Sequence, residues 1–155
     1  MGPLWQYLSH QETGHETGQG NLRIRVQEKI MEPKLVHKHL LIRALVDQAP
    51  DKDFDLDSAL QDLISRIDMK IMAGPFTAYC ANEGNVGWSG TAIIETSHIA
   101  IHCWNEPKPN VIQLDVYSCK DFDIEDVTDW LNEYFGVLMV DYKFLDRENG
   151  FEYII

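Results

Sequence analysis

The chain has 155 residues, 45% hydrophobic and 25% charged, enough for one domain with a core of its own. Its formal charge of -12, from 25 acidic against 13 basic side chains, argues against a nucleic-acid partner, because affinity for a phosphate backbone comes from Lys and Arg. No run reaches the roughly 20 apolar residues that cross a bilayer, and the polar stretch Met1 to Gly20 lacks the basic-then-apolar plan of a secretory leader, so a cytoplasmic protein without a membrane partner is expected.

Residues 1–34 read as an N-terminal extension. SHQETGHETGQGN, at 9–21, has almost no apolar content and is expected to be partly flexible, with His10 and His15 solvated. The charged stretch Arg23 to Lys34 is expected to form a short helix or strand. The domain proper is expected over 35–155. Its first element is a strand in the aliphatic run Leu35 to Val46, followed by the turn-like QAPDKD. Asp55 or Asp57 can cap a helix from Leu56 to Ile67, where Leu56, Leu60, Leu63, Ile64 and Ile67 make one apolar stripe. MKIMAGPFTAYCA reads as an edge or bent strand, broken by Gly74-Pro75. TAIIE, SHIAIHCW and NVIQLDVYSC read as three strands joined by short turns. Asp123 can cap a second helix, IEDVTDWLNEYF, with Ile124, Val127, Leu131 and Tyr134 on one face and Gly136 at its end. VLMVDYKFLD closes as a strand.

Short links between the middle strands imply hairpins, hence a largely antiparallel sheet. The fold class is therefore α+β, a two-layer sandwich with two helices on one face of the sheet. The other face needs a partner wherever it is apolar, so a homodimer packed through the sheets is expected.

Cys80, Cys103 and Cys119 include no CxxC pair, so neither a disulfide framework nor a zinc site is expected. Chemistry concentrates between Trp88 and Cys119. Ser97 stands beside His98, His102 follows five residues after the serine, and a thiol stands at Cys119. A hydroxyl near imidazoles suits nucleophilic chemistry, although a triad is defined by geometry rather than by order in the chain. His98 and His102 are four apart in an alternating, strand-like run, which disfavours the helical HxxxH metal reading.

SHIAIHCWNEP followed by LDVYSC, with HLLI at His39 to Ile42 and WSG at Trp88 to Gly90, resembles the prokaryotic S-adenosylmethionine decarboxylases. In that family a Glu-Ser-His-x-x-x-His-x-Trp-x-Glu block precedes a Val-Asp-x-x-x-Cys block. The likeness runs from about Leu35 to Leu145, and the ETSHIA-like block is similar to phage-borne members. It implies self-cleavage between Thr96 and Ser97, the Ser97 hydroxyl attacking the Thr96 carbonyl. The product is a pyruvoyl cofactor derived from Ser97, whose keto group forms a Schiff base with the substrate amine. The resemblance further implies that His102 and Ser89 serve processing, that Cys119 returns a proton to the α-carbon, and that Glu106 binds the ribose hydroxyls. Tyr79, then Phe76, are the candidates to stack on adenine. The substrate implied is S-adenosylmethionine, in spermidine biosynthesis, and the acidic field suits such a cation.

Four features depart from the family pattern: Thr96 replaces a glutamate, Ala100 a serine and Cys103 a threonine, and the loop after Glu106 is longer, as PKPN. Two alternatives stay open. One is a pyruvoyl-dependent arginine or ornithine decarboxylase on the same scaffold; the other is a homologue that does not cleave and acts as a binding protein.

Overall fold

The computed structural model describes residues 36–148 and 150–154. The expectations for residues 1–34, with His10 and His15, lie outside the described residues. The elements run β1 (Lys38–Val46), α1 (Leu56–Arg66), β2 (Ile71–Cys80), β3 (Gly87–Ile94), β4 (Ser97–Trp104), β5 (Asn110–Ser118), α2 (Ile124–Phe135), β6 (Val137–Asp146) and β7 (Glu152–Tyr153).

Local chemistry sets the helix ends. The Asp55 carboxylate accepts the Ser58 N–H at 3.0 Å and starts α1. Asp123 occupies the corresponding position before α2 but makes no side-chain capping bond. Gly136, at φ 62, ends α2 in the left-handed conformation, and its N–H donates to the Asn132 carbonyl.

The strands form one sheet in the order β2-β3-β4-β5-β1-β6-β7, and every pairing is antiparallel. Period-two alternation sorts its side chains. Leu40, Ile42 and Ala44 on β1, Ile99 and Ile101 on β4, and Ile112, Leu114 and Val116 on β5 are buried. They pack in one core with Leu56, Leu60, Leu63 and Ile64 of α1 and Val127, Trp130, Leu131 and Phe135 of α2. Both helices therefore cover the same face. The wholly buried Trp130 locks them together, its indole N–H donating to the Ala59 carbonyl at 2.9 Å.

The α+β two-layer reading thus holds, with two differences of detail. Strand β3 begins at Gly87 rather than Thr91, so the Trp88-Ser89-Gly90 segment is strand. It is paired on both sides, with β2 and β4, and such pairing outweighs the modest strand preference of its residues. The short β7 pairs only with the end of β6. The second face of the sheet is open among the described residues. It presents His39, Leu41 and Arg43 from β1, and Gln113, Asp115 and Tyr117 from β5. From β4 come His98, Ala100, His102 and Trp104.

Candidate active site

The Thr96–Ser97 bond lies in the tight turn between β3 and β4, and three attachments hold that turn. The Glu95 N–H donates to the Lys70 carbonyl at 2.9 Å. The Thr96 hydroxyl contacts the Met69 sulfur at 2.6 Å. The Thr96 carbonyl accepts the Cys119 N–H at 2.8 Å. This last bond withdraws electron density from the carbonyl carbon that precedes Ser97, the direction an attacking hydroxyl requires. Ser97 itself has φ 144, a conformation that side-chain-bearing residues rarely adopt and that costs on the order of 1–3 kcal/mol. Strain and polarisation therefore meet at one peptide unit.

Cys119 follows β5 directly, because Ser97 pairs with Ser118. The Ser118 hydroxyl, fully buried, donates to the Lys120 carbonyl and accepts the Lys120 N–H. Lys120 is ion-paired with Asp68 at the end of α1. These bonds fix the backbone on both sides of Cys119 and leave its thiol exposed. Cys103 is the opposite case: it is buried in the core, and burial pushes its thiol up to about 12. Of these two, only Cys119 is exposed.

Ser89 and His102 are direct partners across β3 and β4, and Ser89 Oγ lies 2.9 Å from His102 Nδ1. Trp104 stands next on the same face, its ring 5.7 Å from that of His102 and its indole N–H donating to Asn85 Oδ1. Of the two aromatic candidates, Phe76 shares a groove of about 290 Å³ with Ser89, Thr91, Ala100 and His102. Tyr79 packs edge-on against Trp88 at 5.4 Å, and Trp88 packs against the helix-side core. Tyr79 therefore lies on the face opposite Ser89 and His102.

Two groups thus form, and they stay apart within the chain. Thr96, Ser97 and Cys119 meet at the start of β4. Ser89, His102 and Phe76 meet further along it. Five residues of extended strand separate Ser97 from His102, about 16 Å at 3.3 Å per residue. The exposed Glu106 lies in the loop beyond the far end of β4.

A third group joins motif residues to one outside the motifs. His39, Asp115, His98 and Tyr117 cluster on the open face with Arg147, which follows β6. A groove of about 450 Å³ continues along this face between Asp115 and His102, walled by Leu41, Arg43, Tyr142 and Lys143.

The family model for S-adenosylmethionine decarboxylase matches residues 38–148. The S-adenosylmethionine decarboxylase proenzyme of Clostridium botulinum strain Langeland is 33% identical over 88 residues, which cover 56% of this chain and 70% of the relative. The proenzyme of the same name from strain Loch Maree is 32% identical over the same span. In fold, the chain is similar to the crystal structure of the adenosylmethionine decarboxylase from Aquifex aeolicus VF5. That likeness has a TM-score of 0.55 at 20% identity and covers 76% of this chain and 93% of the other. By the extent of the family match and the identity of these relatives, the chain belongs to the S-adenosylmethionine decarboxylase family.

Proposed function

We propose that the chain decarboxylates S-adenosylmethionine, on the route to spermidine, with a pyruvoyl group that it makes by cutting itself between Thr96 and Ser97. The observation that carries this reading is the 2.8 Å bond from the Cys119 N–H to the Thr96 carbonyl, at a serine held with φ 144. A carbonyl whose oxygen already accepts a hydrogen bond is more open to attack by a hydroxyl than an unpolarised one.

The steps follow from the residues. Ser97 Oγ bonds to the Thr96 carbonyl carbon, the carbon–nitrogen bond breaks, and the hydroxyl proton passes to the freed nitrogen. A base then removes the Ser97 α-proton and the Thr96 carboxylate departs with its oxygen. Water replaces the nitrogen, ammonia leaves, and a keto group remains at the head of residues 97–155. That group supplies an electron sink when carbon dioxide leaves the substrate. The exposed Cys119 thiol, just past the end of the neighbouring β5, returns a proton to the α-carbon.

His102, held by Ser89, is the base in this reading, since an imidazole can take a proton near neutral pH. It cannot reach Ser97 of its own chain across about 16 Å. A second copy, facing the first across the open sheet with its strands reversed, supplies Ser89 and His102, and with them Phe76 for adenine and Glu106 for the ribose hydroxyls. The functional unit is accordingly a homodimer of processed chains in the cytoplasm, with the small-molecule substrate enclosed between the sheets.

The test is the denatured intact mass of the purified protein, followed by carbon dioxide release from S-adenosylmethionine, arginine and ornithine. Fragments 1–96 and 97–155, the second blocked at its N-terminus, with turnover of S-adenosylmethionine alone, are expected. Cys119→Ala should still cleave yet decarboxylate at least about a hundredfold more slowly. A single uncut 17.9 kDa species without activity would replace this reading with that of a binding protein. Turnover of a basic amino acid alone would keep the cofactor and change the substrate.

A further inference from the structure

Next to the Thr96–Ser97 bond, the open face carries a polar network that the proposed steps leave unused. His39 on β1 and His98 on β4 both pair with Tyr117 on β5, so the three form one row across three strands. Asp115 lies two residues before Tyr117 on the same face. Its Oδ1 is 2.9 Å from His39 Nε2 and 3.8 Å from His98 Nε2. On the far side of the His39 ring, Nδ1 lies 3.1 Å from Arg147 Nη1.

These contacts fix where the His39 proton sits. A guanidinium only donates, so Nδ1 must be the accepting nitrogen. A doubly protonated ring would set two donors against each other there. The single ring proton is therefore on Nε2, where it is donated to Asp115. The bonds run one way, from Arg147 to His39 to Asp115, and leave the carboxylate facing His98.

Arg147 is itself held firmly. Its guanidinium stacks 4.4 Å from the centre of the Tyr117 ring and 5.3 Å from that of Phe151. Its backbone N–H donates to the His37 carbonyl at 2.8 Å, and His37 Nδ1 lies 2.8 Å from the Tyr117 hydroxyl. Two members of the row stand near the reacting bond: His98, at its β4 end, follows Ser97 in the chain, and Tyr117, at its centre, lies two residues before Cys119, which follows β5.

We propose that Arg147, His39 and Asp115 are positioning residues for the reaction at Ser97, holding the His98 imidazole and the Tyr117 ring beside the Thr96–Ser97 bond and the Cys119 thiol. This rests on the self-processing reading given above. The side chain of His98 is 49% exposed, and Asp115 is the charged group that faces its ring among the described residues, at 3.8 Å. Arg147, from beyond β6, sets the direction of the whole chain of bonds.

The test uses the full-length protein, with Arg147→Met to remove the donor and Arg147→Lys to restore one. Nitrogen-15 spectra of the histidine rings in the uncleaved Ser97→Ala chain read the tautomer without any turnover. His39 should show a bare Nδ1 and a protonated Nε2, and adding Arg147→Met should free Nδ1 to take a proton while Nε2–H stays on Asp115. In the cleaving protein, Arg147→Met should lower both the cleavage rate and kcat about tenfold, the usual weight of one charged hydrogen bond. KM should stay within about twofold, and Arg147→Lys should recover most of the loss. A proton on His39 Nδ1 with Arg147 in place, or an Arg147→Met protein that cleaves and turns over like the wild type, would overturn the proposal. A wild-type chain that never cleaves would instead overturn the reading beneath it, and the positioning role with it.

Discussion

The two ends of β4 are built on different plans. At its start, the Thr96–Ser97 unit is held by backbone and buried groups of its own chain: the Lys70 carbonyl, the Met69 sulfur and the Cys119 N–H. Further along, Ser89, His102, Trp104 and Phe76 hold one another on an open face, with about 16 Å of strand between them and Ser97. One region is anchored by its own chain; the other lies on the open face of the sheet. A strained, polarised bond needs rigid surroundings, which hydrogen bonds within its own chain supply. Groups that must act across a gap can be supplied by a second copy, since a two-fold axis gives each copy what the other lacks.

The largest separable effect should come at Gly87, which pairs with Trp104 across β3 and β4. A Cβ there would lie 1.8 Å from the Cys103 carbonyl oxygen, at φ +152, so Gly87→Ala must push the two strands apart beside Ser89 and His102. Displacements near 1 Å in a catalytic group can cost about a hundredfold. Cleavage should slow to that extent, while amide exchange at the Cys119 N–H stays as protected as in the wild type. Loss of protection at Cys119 as well would mean that the two ends are one unit.

A smaller effect belongs to the anchored end. Thr96→Val keeps the shape and removes the hydroxyl that contacts Met69. A neutral hydrogen bond is worth about 1 kcal/mol, so cleavage should slow about fivefold, and Thr96→Ser should restore it. An unchanged rate in the valine variant would reduce the turn's functional anchors to its backbone bonds.

Much of the fold could be read from the sequence, for reasons that separate cleanly. Helix α2 was expected over IEDVTDWLNEYF and spans Ile124–Phe135, because its apolar spacing and Gly136 act locally. The start of β3 is not legible in the sequence, because Trp88, Ser89 and Gly90 owe their strand conformation to neighbours on both sides. The motif residues were identifiable one by one. Their grouping was not, since residues five apart on a strand are neighbours in the chain and distant in space. Tyr79 and Phe76 stand close in sequence yet face opposite sides, because they lie an odd number of residues apart on the regularly paired end of β2. Arg147 carried no signal at all, because only the folded sheet brings it to His39, 108 residues away.

The most direct test of the divided site is complementation between two dead chains, Ser97→Ala and His102→Ala, followed by intact mass. Each should stay uncut when expressed alone. Expressed together, they should form mixed dimers in which the His102→Ala chain offers its Ser97 to the intact His102 of its partner. With random pairing, about half of the dimers are mixed, and each holds one intact site. The fragments 1–96 and 97–155 should then appear, from the His102→Ala chain only, with about a quarter of the wild-type decarboxylation. Cleavage of the His102→Ala chain on its own, or an uncut mixture beside a wild type that cleaves, would contradict a site shared between two copies.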